Sequence, residues 1–119
     1  MPRILIAGKH WTSRALLRAQ LIEEGFDVEA YEDVKGGVNR LWGSRDMPAL
    51  LVVDLFESEG PMEDIATLAH WAKLLPIWII SGHGTSGAAT LAGQGFERVL
   101  FRPLDMGKLV QEIKVRLSG

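Results

Sequence analysis

Three polar residues each close a strand-length apolar run. Asp54 follows ALLVV, Ser81 follows PIWII, and Arg102 follows ERVLF and precedes Pro103. If these runs are neighbouring parallel strands, a carboxylate, a hydroxyl and a cation emerge at one edge of a sheet, where such folds collect their working residues. A carboxylate at that edge can be a nucleophile for phosphoryl transfer, a metal ligand, or an anchor for loop amides. Spacing alone leaves all three open. Gly8–Lys9 faintly resembles a phosphate loop, but the upstream glycine of that pattern falls on Arg3. The run SGHGTSG from Ser81 to Gly87 can cradle an anion through backbone N–H groups or serve as a loop before a helix. His10, His70 and His83 lie in separate segments without zinc spacing, although His10 and His83 can approach each other at the strand ends.

The elements that position these residues alternate along the chain. Arg3–Ala7, Asp27–Tyr31, Ala49–Leu55, Pro76–Ser81 and Glu97–Phe101 read as strands, the third being apolar on both faces as a central parallel strand must be. Thr12 or Ser13 is expected to cap a first helix with Ala15, Ala19, Ile22 and Phe26 on one face, ended by Gly25. Asp33 caps a second helix with a stripe of Val34, Val38, Leu41 and Trp42, and Pro61 opens a third with Ile65, Leu68, Ala69 and Ala72 inward. Ser86–Gln94 reads as a short, alanine-rich fourth helix. Asp105 opens a last one whose Met106, Leu109, Val110, Ile113 and Leu117 share a face. Five βα units without a linker predict one domain over residues 1–119. The expected fold is α/β, a doubly wound five-stranded parallel sheet of order 2-1-3-4-5, because right-handed crossovers leave few alternatives.

With 47% apolar and 24% charged residues the chain can bury a core, and disorder is excluded on composition. A formal net charge of −2, with both signs interspersed, offers no field for nucleic acid or an anionic membrane. The absence of cysteine removes disulfides and thiolate chemistry, and no apolar run is long enough to span a bilayer. No signal peptide is expected, and the cytoplasm is the expected compartment.

The chain resembles, over essentially its whole length, the receiver domain of two-component response regulators. That resemblance implies a flavodoxin-like (CheY-like) three-layer α/β/α fold. It places Asp54 at the phospho-acceptor position, Ser81 at the Thr/Ser position, and Arg102–Pro103 at the Lys-Pro position. The family's switch aromatic falls on Val99, and its acidic, Mg²⁺-holding pair falls on Gly8 and Lys9, followed by His10 and Trp11. The Met-Pro-x-Met-Asp-Gly type loop after the acceptor is replaced by Phe56–Gly60. Phosphoryl transfer needs a cation on the transferring oxygens, and a hard metal needs several oxygen ligands. The chain therefore resembles an atypical, or pseudo-, receiver.

The resemblance implies a signalling module, not an enzyme, that docks a protein partner (a sensor kinase, an effector or a regulatory protein) without phosphorylation, cofactor or metal. The face of the fourth helix, fifth strand and last helix is the expected partner or homodimer surface. The alternative is a conventional Mg²⁺-dependent phospho-acceptor at Asp54, with Glu57 or Glu59 helping to recruit the ion. A small-molecule or nucleotide-binding domain at the same crevice is a third reading. Trp42, Trp71 and Trp78 are expected in core or half-buried positions, whereas Trp11 either caps the crevice or touches a partner. Lys9, with Arg102, is expected to pair with Asp54 in place of the absent ion, since a buried charge needs a partner.

Overall fold

A computed structural model of the chain describes residues 2–43, 46–83 and 91–118, apart from the side chain of His83. Its strands are β1 (Arg3–Gly8), β2 (Asp27–Tyr31), β3 (Leu50–Asp54), β4 (Ile77–His83) and β5 (Arg98–Arg102). The described helices are α1 (Trp11–Glu23), α2 (Val34–Trp42), α3 (Pro61–Trp71) and α4 (Met106–Leu117). All strand pairs are parallel, in the order β2-β1-β3-β4-β5 expected from the sequence. No helix among the described residues is long and apolar enough to cross a membrane.

Strand alternation divides the core in two. Leu5, Ala7, Leu51, Val53, Ile77 and Ile79 face α2, α3 and Leu91. Their neighbours Ile4, Ile6, Leu50, Val52, Trp78 and Ile80 face α1 and α4. Successive side chains of a strand point to opposite faces, so covering both faces demands a continuous apolar run. Every residue of β3 is buried, including Asp54 at its end.

Helix ends follow local chemistry in most places. Asp33 accepts the Gly36 N–H at 2.7 Å and Asp105 accepts the Lys108 N–H at 3.0 Å, each satisfying a first-turn donor. Gly25, at φ +95°, ends α1 in the left-handed region that glycine tolerates. The expected cap of α1 is corrected. The N-cap is His10, without a side-chain bond, and Thr12 and Ser13 lie inside the first turn.

Two apolar stripes are also corrected. In α1 the buried residues are Leu17 and Leu21, while Ala15, Ala19 and Ile22 are exposed. Both sets have the four-residue spacing of one face, but turning two leucines inward removes more apolar surface than turning two alanines. In α2, Val34, Val38 and Leu41 are buried, but Trp42 is 71% exposed and only meets Trp71 edge-on at 5.1 Å. In α3 Ile65, Leu68 and Trp71 are buried and Ala72, just past the helix end, is half-buried against the same cluster as expected, whereas Ala69 is not among the residues packed there. Trp71 and Trp78 are buried as expected. The expected fourth helix, Ser86–Gln94, lies mostly outside the described residues.

Candidate functional site

The carboxyl ends of β1, β3 and β5 converge on Asp54. It is the one buried polar or acidic residue among the described residues, with 7% exposure. Its Oδ1 accepts the Phe56 N–H at 3.0 Å, which folds the chain after β3 back over the strand end. Its Oδ2 is paired with Nη2 of Arg102. The same nitrogen donates to Ser13 Oγ at 3.2 Å, tying the first turn of α1 to the pair. The guanidinium lies over the Phe56 ring, 4.6 Å from its centroid, while Nε is buried without a partner among the described residues. Arg102 is followed by a cis peptide to Pro103.

Thus Asp54 has a cation, and among the described residues Arg102 alone supplies it. Lys9 is exposed and its Nζ points to Asp33, 3.9 Å away, so the expected Lys9–Asp54 pair is not formed. The reason is the path of β1. Gly8 lies in register with Asp54, and a Cβ built on Gly8 would stand 3.0 Å from both the Asp54 Cβ and its carbonyl oxygen. Lys9, one residue further, leaves the strand toward the capping carboxylate of α2. It lines a cavity of about 180 Å³ with Gly8, Asp33, Lys35, Asp54 and Glu59.

Beside the pair runs a second contact between loops. His10 Nδ1 meets Glu57 Oε1, and the imidazole stands edge-on to Phe56 at 5.1 Å. Glu57 has φ +67°, the one non-glycine residue with positive φ among those described. Ser81 is half-buried opposite Phe101, and the strand is irregular between Ser81 and His83. Val99 is half-buried and packs against the cluster under α2 and α3. Trp11, 67% exposed, does not close the crevice. The approach of His83 to His10 and most of the SGHGTSG run lie outside the described residues.

The strand ends were legible in the sequence, but the roles of Ser13, Phe56 and Glu57 were not. Ser13 carries no signal beyond a hydroxyl near a helix start, and Phe56 reads as an ordinary loop aromatic. Asp33 was visible as a cap; its second use, as partner to Lys9, depends on how β1 and α2 lie together.

The positions nearest Asp54 offer Mg²⁺ little, although Asp33, Glu59 and Asp64 also line the cavity. Asp54 Oδ2 is committed to a guanidinium, Gly8 has no room for a side chain, and Lys9 places an ammonium in the cavity. Among the described residues no three His, Asp or Glu side chains converge as a metal site, and Glu57 is engaged by His10 rather than directed to Asp54.

The sheet order, helix placement and strand-end aspartate define the receiver fold of response regulators, and solved structures match it closely. A CheY-like receiver domain protein from Methanospirillum hungatei superimposes with TM-score 0.80 at 17% identity, covering 99% of this chain and 94% of that one. A response regulator receiver protein from Pseudomonas putida matches with TM-score 0.77 at 23% identity, covering 96% of each chain. The response regulator TrrA from Thermotoga maritima, solved with Mg²⁺ and BeF, matches with TM-score 0.78 at 19% identity, covering 98% and 100%. No protein-family model and no curated protein matches the sequence.

Proposed function

We propose that this domain is a receiver-type signalling module that docks a protein partner without phosphorylation of Asp54. The observation that carries the reading is the Asp54–Arg102 pair: the carboxylate that the fold offers as acceptor is buried against a cation belonging to the chain itself. Phosphoryl transfer needs a nucleophilic oxygen free to approach the phosphorus and a cation on the transferring oxygens rather than on the nucleophile itself. Here one oxygen holds a backbone amide and the other a guanidinium. The domain is accordingly read as a non-enzymatic component of a two-component or phosphorelay-type system in the cytoplasm, with no cofactor. Its partner is a sensor kinase, an effector or a regulatory protein.

The docking or homodimer face in this reading is that of the segment after β4, together with β5 and α4. A groove of about 390 Å³ runs there, lined by Leu100, Phe101, Leu104, Lys108 and Leu109, and Phe101 is exposed at its edge. The opposite reading, a Mg²⁺-dependent phospho-acceptor, is favoured by the cavity of about 180 Å³ that reaches Asp54. Intact-mass measurement after incubation with acetyl phosphate and Mg²⁺ separates the two. The expected result is an unmodified chain, whereas an adduct lost in Asp54→Asn restores the conventional mechanism.

A further inference from the structure

Helix α1 is apolar on two sides. Leu17 and Leu21 turn inward onto the sheet, while Trp11, Ala15, Leu16, Ala19 and Ile22 are exposed. Besides Trp11, the large side chains of that outward set, Leu16 at 46% and Ile22 at 43% exposure, keep much of their apolar surface in water. A surface helix confines its apolar residues to one stripe, and a second apolar side belongs to helices covered there as well. The polar contacts of α1 with the rest of the domain, Ser13 to Arg102, Arg14 to Gly8 and Glu24 to Lys114, leave from the inward half and spare this face.

The outward residues form a pattern that complements itself. Thr12, Ala15, Ala19 and Ile22 are spaced three, four and three apart, the seam spacing of two helices packed along their length. Trp11 and Arg18 border the seam on one side, Leu16 and Glu23 on the other. When two such helices run parallel, a residue on one border meets the residue five positions further on in the second helix. From Trp11 that residue is Leu16, an apolar match, and from Arg18 it is Glu23, an opposite charge. Two-fold symmetry makes each match twice. Arg18 and Glu23 are both exposed and have no ion-pair partner among the described residues. In an antiparallel pair each border meets its own counterpart, so neither charge finds its opposite.

We propose that α1 pairs in parallel and in register with α1 of a second copy of this chain, Ala15 and Ala19 each facing its own counterpart. The alanines bring the two axes to the short end of the roughly 8–10 Å range of packed helices, and Trp11 covers Leu16 of the second copy. The helix is already formed by the fold, so association does not carry the cost of ordering it. This face shares no residue with the β5–α4 groove and stands whether or not Asp54 accepts phosphate.

Sedimentation equilibrium over a range of protein concentrations tests the pairing, and the mass is expected to rise from one chain to two. Ala19→Glu, which sets two carboxylates face to face in the seam, should hold the protein at one chain. Arg18→Glu should raise the dissociation constant about tenfold, since two surface ion pairs become like-charge contacts, and adding Glu23→Arg should restore it. These positions are exposed, so the variants keep the fold. The chain has no cysteine, so a single introduced one reports its own neighbour. Ala19→Cys is expected to oxidise to a covalent dimer faster than Val115→Cys, an exposed position on α4. A protein that stays monomeric throughout overturns the proposal. So does a dimer that survives Ala19→Glu, or one lost only with Phe101→Glu, which belongs to the β5–α4 groove. A charge swap that fails to restore association overturns the parallel register, as does a disulfide that forms only when Ala15→Cys protein is mixed with Ala19→Cys protein. A monomer whose Ala19 and Ile22 NMR signals move only when a sensor kinase is added gives the face to that partner and also overturns it.

Discussion

Arg102, at the end of β5, and Asp54, at the end of β3, form a buried ion pair although β4 lies between their strands. The long guanidinium reaches across the intervening strand end and also touches Ser13 of α1. Three elements from distant parts of the chain therefore meet at one cation.

Removing that cation leaves a carboxylate buried at the centre of the sheet. Arg102→Ala is expected to cost about 3–5 kcal/mol, because an unpaired buried charge must be desolvated or protonated. The paired replacement of Asp54→Leu with Arg102→Met should cost less than Arg102→Ala alone. Urea unfolding of the variants checks this, and strictly additive costs would contradict a direct pair.

Lys9→Ala should change stability by less than about 0.5 kcal/mol, as expected of an exposed side chain in a long, screened ion pair. A large loss in thermal unfolding would place Lys9 on Asp54 after all.

Gly8→Asp should be destabilising by about 1–3 kcal/mol, since the new Cβ meets backbone and Cβ atoms of Asp54 that cannot rotate away. Added Mg²⁺ is expected not to restore the loss. Melting curves with and without the ion decide it, and a clear Mg²⁺-dependent recovery would mean that β1 can move aside to form a metal site.

Acid should weaken the link between α4 and the sheet. Glu97 accepts the Trp78 indole N–H at 2.7 Å and pairs with Arg116 at 2.8 Å. The Arg116 hydrogen bond, helped by that of Trp78, holds the Glu97 carboxyl below its ordinary value against the opposing effect of burial. A depressed folded value contributes stability that is present above the unfolded value, near 4.5, and is lost as pH falls through the folded one. The melting temperature of the native protein should therefore fall through that window more steeply than that of Glu97→Gln. Equal slopes would remove Glu97 from the acid response.

The two tryptophans of the α2–α3 contact should differ sharply. Trp71→Ala empties a core position and is expected to cost about 3–5 kcal/mol. Trp42→Ala loses one edge-on ring contact, worth about 1 kcal/mol. Chemical denaturation of each variant provides the comparison.

The amino-acid sequence by itself determined the layering and the sheet order. Runs such as LLVVD can be satisfied only between two helical layers, and right-handed crossovers then order the strands. It also placed Asp54 and Arg102 at strand ends, while β4 runs past Ser81 to His83, and it marked Asp33 and Asp105 as caps, because a cap is a bond between residues three apart. Which way each helix turned was not determined in α1, where alanine and leucine stripes share one periodicity and only burial against the sheet selects Leu17 and Leu21. The partners of the charges were decided by tertiary structure alone. Lys9 and Arg102 are equally plausible cations for Asp54 along the chain. The close approach of Gly8 to Asp54 and the reach of Arg102 past β4 exist only once the strands are in register. The same holds for His10 and Glu57, 47 positions apart, which meet because the ends of β1 and β3 are neighbours.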